Sequence, residues 1–177
     1  MPTYRIIPER SPVTIDAESS MHPVHASSSA VTGTLELRLD GQGRPDLDAP
    51  YAARLSVPVE SITSGHGLQD REMHRRLDTR RHPRIGVEVT DAARLADDGR
   101  YRAKARITVR GETRDVEGEV ALSVDGDQLV VEGQQTIDMR IFGVDPPRLL
   151  VIKVQPEVVV RVRLVAQREA SGDKEAE

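Results

Sequence analysis

Ala103-Lys104-Ala105-Arg106-Ile107-Thr108-Val109-Arg110 alternates between apolar side chains and charged or hydroxyl-bearing ones. Successive side chains of an extended chain point to opposite faces, so this stretch reads as a strand with one dry and one wet face. The same period returns in Val158-Val159-Val160-Arg161-Val162-Arg163-Leu164. Several such stretches in succession predict an antiparallel sheet curled around an apolar interior. That interior is made of Ala, Val, Ile and Leu, in a chain with one Phe and three Tyr.

Working outward from these anchors, strands are expected at about 3–7 and 12–16, followed by a Ser-rich connection from Ala26 to Ala30. A longer strand then puts Val31, Gly33, Leu35, Leu37 and Leu39 on one face. Asp40-Gly41-Gln42-Gly43-Arg44-Pro45 is turn chemistry, because Gly supplies positive φ and Pro fixes its own. The next strand presents Ala53, Leu55, Val57 and Val59 inward. Pro58, which has no N–H to give a ladder, predicts an edge strand or a bulge.

Residues 66–78 break the alternation. Leu68, Met73 and Leu77 recur at helical spacing among charged residues, which predicts a short amphipathic helix that Pro83 prevents from continuing. Strand residues Ile85, Val87 and Val89 follow, and Asp97-Asp98-Gly99 turns into a strand over Arg100–Arg110. Val116, Gly118, Val120, Leu122 and Val124 share a face of the next one. Asp125-Gly126 is a two-residue hairpin signal. Leu129, Val131, Gly133, Gln135 and Ile137 line the strand after it, and two further strands are expected at about 148–154 and 156–167. The domain thus spans 1–167, and 168–177 reads as a charged, disordered tail. Short antiparallel strands with one helix give an all-β barrel or sandwich. A closed barrel is preferred because closure removes exposed edges.

Composition narrows the function. At 177 residues with a net charge of −4, the chain lacks the basic excess of a general nucleic-acid binder. It has no cysteine, which excludes disulfides, thiolate metal sites and Cys nucleophiles. The N-terminus lacks the apolar run of a signal peptide, and no stretch approaches the ~20 apolar residues of a membrane-spanning helix. A cytoplasmic protein with no transmembrane segment is the expectation. The five histidines form only scattered pairs, whereas metal sites want three or four convergent ligands, so no metal and no cofactor are expected. Ser64, His66 and Asp70 are triad residue types, but one loop cannot orient all three and G-x-S-x-G is absent, so no catalytic residues are assigned.

Four motifs add a resemblance. Asp70-Arg71-Glu72-Met73-His74-Arg75-Arg76-Leu77 leading to His82-Pro83-Arg84-Ile85 resembles the helix and following strand of the YceI-like family. Ala105–Val116 is similar to that family's central hairpin. Asp138-Met139-Arg140-Ile141-Phe142-Gly143-Val144 resembles its acidic-Phe-Gly element, and Val151–Val158 its last strand. The likeness runs from Tyr4 to Ala166. The chain departs from the pattern in carrying no aromatic in Met21–Ala26 and Arg80-Arg81-His82 in place of a double Phe. The resemblance implies an extended lipocalin-like β-barrel whose lumen holds a long isoprenoid or other lipid.

Pattern alone leaves open whether the barrel is packed or hollow, since small barrels usually fill with side chains. Ala103, Ala105, Gly118 and Gly133 at inward positions leave room near the middle, and the resemblance favours a cavity. The expected lumen lining is Leu55, Val57, Ala103, Ala105, Ile107, Val120, Leu122, Leu129, Val131, Gln135, Val160 and Val162. Gln135 is expected to satisfy its amide by a structural hydrogen bond. Arg71, Arg75 and Arg76 are candidates for a phosphate head-group, against the plainer reading of a solvated helix face. The alternative function is a packed barrel acting as an interaction or stress-response module. It would be a homodimer joined through Val159 and Val165 on the outward face of the last strand.

Overall fold

The computed structural model describes residues 1–96, 98–146, 148–149 and 152–170. It contains strands β1 (Thr3–Ile6), β2 (Val13–Ser19), β3 (Val24–Ser28), β4 (Thr32–Glu36), β5 (Ala52–Pro58), β6 (Arg84–Arg94), β7 (Arg100–Val109), β8 (Glu112–Asp125), β9 (Gln128–Asp138), β10 (Arg148–Leu149) and β11 (Ile152–Arg168), with helix α1 (Gly67–Arg76) between β5 and β6. Antiparallel pairing runs β1-β4-β5-β6-β7-β8-β9-β11, and β1 pairs back onto β11. The result is the expected all-β fold, a closed eight-stranded antiparallel barrel with one helix.

Two of its staves are bent. β1 and β2 form one stave, broken by a turn at Pro8–Arg10 where proline removes a backbone donor. β1 continues along β11 at Tyr4↔Arg168 while β2 meets it at Val13↔Val162. β3 and β4 form the second, pairing with β2 and β1 respectively. The Ser-rich stretch read as a connection is therefore mostly strand. Ser27 exchanges backbone bonds with Thr63, and the Ser28 hydroxyl, 2.7 Å from that of Ser61, marks the bend after it.

Three other expectations are corrected. The expected strand at 148–154 is split: Arg148–Leu149 is the short β10, which pairs back on β11, while residues 152–154 and the expected 156–167 strand are one long β11, with a register shift between Val154 and Val158 that absorbs Pro156 as a bulge. Pro58 ends β5, pairing with Arg84, and is neither an edge nor a bulge. The β8–β9 hairpin turns on Gly126 and Asp127, one residue beyond the expected pair, because Asp125 still pairs with Gln128. β11 extends through Arg168, and Glu169 pairs with Arg5 at 2.6 Å. The expected tail beyond Ala170, and Asp97 of the β6–β7 turn, lie outside the described residues.

The far end of the barrel is filled. Tyr4, Ile6, Leu35, Leu37, Leu129, Leu164 and Ala166 form a buried cluster, with Leu55, Leu122, Val131 and Val162 packed against it. The loop after β4 closes that end, and Arg94 donates to the Pro45 carbonyl at 3.2 Å. At the other end a second cluster of Val59, Leu77, Val109, Phe142 and Val144 ties the helix and the β9–β11 connection to the strands.

Candidate functional site

Between the two clusters lies an apolar cavity of about 250 Å³. Its walls come from inward residues of seven strands: Val13, Ile15 and Ala17 of β2, Val24 and Ala26 of β3, Val57 of β5, Ile85 and Val87 of β6, Ile107 and Val109 of β7, Ile137 of β9, and Val154, Val158 and Val160 of β11. The register explains why they converge. Val57 opposes Ile85, and Val87 opposes Ile107, so inward positions on neighbouring strands fall at one level. Met73 of α1, Leu77 at its C-terminal cap, and Met139 and Phe142 of the turn after β9 cover the top. The polar lining, Ser64, Gln69, Asp70, Arg76, Asp145 and Gln155, belongs to the helix segment and to the stretch from the β9–β11 connection into the start of β11. That end is the mouth.

Of the residues expected to line the lumen, Val57, Ile107 and Val160 do line this cavity. Leu129 does not: it is 0 % exposed, inside the far-end cluster. Leu55, Leu122, Val131 and Val162 pack against the same cluster. Their parity points inward as expected, but the closing loop and two tyrosines fill their end of the barrel. Ala103, Ala105, Val120 and Gln135 are half-buried and lie outside the cavity lining. Gln135 occupies the room left by Gly118, where an added Cβ would lie 2.8 Å from Oε1. Its amide reaches only the Thr136 carbonyl, at 3.4 Å.

The helix divides its arginines. Arg76 lines the cavity, while Arg71 and Arg75 are exposed. Glu72 accepts from Arg75 Nη2 at 2.8 Å and from Arg76 Nε at 2.9 Å. Hydrogen bonds from Arg75 and then Arg76 hold the Glu72 carboxyl below its ordinary range. Leu68, expected on the apolar face, is instead 75 % exposed. The apolar stripe that faces the lumen begins at Met73.

Several of the histidines and the Ser64 loop have structural partners. His74 Nε2 lies 2.9 Å from the Ile62 carbonyl, His25 contacts Asp16, and His82 packs over Gly111. The Ser64 N–H and hydroxyl both bond to Asp70 Oδ1, at 2.7 Å each. The hydroxyl is thus directed at a carboxylate, and the pair fixes the approach to the helix. Among the described residues no three His, Cys, Asp or Glu side chains converge as metal ligands.

Sequence reasoning missed the β2, β3 and β6 walls and the lid residues Met139, Phe142 and Val144. The β2 and β6 walls carry the same period-2 signal as the anchors. The lid carries none, because it is formed by a short turn in which Asp138 accepts from Arg140 N at 2.9 Å. The inward aromatics, Tyr4 and Tyr101, were also missed. Tyr101 shares parity with Ala103 and Ala105, so its burial was readable.

No curated protein matches the chain. Burkholderia cenocepacia BcnA superposes with a TM-score of 0.76 at 16% identity, covering 92% of this chain and 99% of that one. A polyisoprenoid-binding domain from Saccharophagus degradans, implicated in plant cell wall breakdown, gives 0.71 at 12% identity over 94% and 98%. The Campylobacter jejuni YCEI protein gives 0.64 at 8% identity over 84% and 86%. At these identities the likeness is one of fold. A sequence model of the YceI-like domain matches residues 4–166, and the chain belongs to the YceI-like family.

Proposed function

We propose that this barrel binds a long apolar molecule, a polyisoprenoid or another lipid, and carries or sequesters it without chemical change. One observation carries the reading: the mouth half of the barrel holds an apolar cavity of about 250 Å³. Space of that size admits about eight water-sized groups at ~30 Å³ each. Burying as many CH₂ groups contributes about 6 kcal/mol at ~0.8 kcal/mol each. The fold shared with a polyisoprenoid-binding domain supports the same class of ligand. The homodimer alternative loses its basis in Val165, which is 0 % exposed. The Pro8–Arg10 turn and Ser11 lie against its strand, with the Ile7 N–H donating to the Val165 carbonyl at 2.9 Å.

The test is organic extraction of the purified protein with mass spectrometry, alongside native mass spectrometry of the same batch. A stoichiometric isoprenoid or fatty chain is expected. Val87→Trp, which fills the cavity from β6, is expected to retain the far-UV spectrum and lose the ligand, at a packing cost of roughly 1–3 kcal/mol. Wild-type protein that is empty and also refuses added prenyl chains would overturn the reading.

A further inference from the structure

We propose that the mouth end of the barrel docks on an anionic lipid surface. The proposal concerns the rim and holds whether or not the lumen is occupied. Three large apolar side chains are left exposed at this end: Leu68 at 75 %, Met21 at 69 % and Ile141 at 40 %. Each stands beside lining residues. Met21 lies in the turn between Ala17 and Val24, Leu68 precedes Gln69, and Ile141 lies between Met139 and Phe142. Exposed apolar residues scattered singly need no explanation, but three around one cavity mouth do.

Charge decides what they fit. On the outer face of α1, Leu68, Arg71 and Arg75 follow one another at helical spacing. Arg71, Arg80 and Arg81 are exposed and have no carboxylate partner among the described residues. Of the acids beside them, Asp70 is engaged by Ser64 and Glu72 by Arg75 and Arg76, which leaves Asp78 as the one carboxylate among three exposed arginines. On the barrel wall the opposite holds: Arg102 pairs with Glu117, Arg106 with Asp115 and Arg163 with Glu132 across strands.

The two ends also differ in sign. Mouth connections 20–23, 59–83, 110–111 and 139–146 carry seven Lys/Arg against five Asp/Glu, whereas far-end connections 37–51, 95–99 and 126–127 carry two against six. Apolar tips beside unpaired guanidiniums suit a surface whose interior takes the tips and whose phosphates take the arginines. A second copy would bring the same positive rim against itself, which like charge opposes.

The experiment is flotation of the full chain with vesicles of phosphatidylcholine alone and of phosphatidylcholine mixed with phosphatidylglycerol. Binding to the anionic vesicles only, reversed by added salt, is expected. Arg80→Gln with Arg81→Gln should lower partitioning on the order of 30-fold, and Leu68→Ser about tenfold. Leu95→Ser, at the opposite end, should leave it unchanged. All these side chains are exposed, and circular dichroism verifies that each variant folds. The proposal is overturned by equal binding to neutral vesicles, by no flotation, or by rim variants that bind like wild type. A dimer in sedimentation that Leu68→Ser dissolves would overturn it too, assigning the rim to self-association. Extraction of lumen lipid is a separate readout: protein that floats yet carries no cargo leaves docking standing and counts against the lumen reading.

Discussion

Ser11 is a fully buried hydroxyl in an apolar wall. Its Oγ accepts from the Val165 N–H at 2.9 Å and donates to the Val165 carbonyl at 3.2 Å. The side chain thereby replaces ladder bonds that β11 loses where the first stave breaks. Ser11→Ala leaves the buried Val165 N–H without a partner, at an expected cost of about 1–3 kcal/mol. A urea midpoint equal to that of wild type would show that the N–H finds another acceptor. Gly33 shows a second residue-scale constraint that periodicity cannot display. It was readable as a member of a core face, but its φ is +146° and a Cβ there would lie 2.0 Å from the Arg54 carbonyl oxygen. Pattern reports which face a residue belongs to. It does not report how closely a neighbouring backbone approaches.

At the scale of elements, α1 is a lid with two working faces. Met73, Arg76 and Leu77 turn to the cavity, and Glu72 braces Arg76 from the helix itself. The Glu72 carboxyl is held below its ordinary value of 4.5 by Arg75 and then Arg76. A depressed carboxylate contributes stability that is present above the ordinary value and lost as pH falls through the lowered one. Glu72→Gln should therefore melt slightly below wild type at pH 7, and the gap should narrow as pH falls below the ordinary value. A gap that stays constant down the acid range would assign the effect to packing. The helix was legible from Met73 and Leu77, whereas the half-burial of Arg76 and the exposure of Arg71 and Arg75 depended on how the helix is laid across the barrel. Most strands were legible, but β3, hidden in the Ser-rich stretch, was not, nor were the bends that join strands into single staves. The first bend spans residues 7–12 and the second 29–31, and that the strands on either side of each belong to one stave is set by their partners, not by the period.

The whole molecule closes on its ends, Tyr4 opposite Arg168 and Ile6 opposite Ala166. Tyr4 and Ile6 also stand in the far-end core, so closure and core formation are one event. Deleting residues 1–7 should leave β4 and β11 with open edges and the core without its plug. The expected outcome is loss of the cooperative thermal transition followed by circular dichroism; a sharp transition near the wild-type temperature would show that the remaining strands form a stable sheet. By itself the sequence determined the strands, their dry faces, the helix and the family likeness, because period, turn residues and local motifs are properties of neighbours along the chain. Only the tertiary structure decided which part of the dry interior is hollow. Leu129 and Ile107 have the same parity, yet one is sealed beneath tyrosines and a closing loop while the other faces open space. That difference arises from side chains distant in sequence, brought to the same level by barrel closure and register.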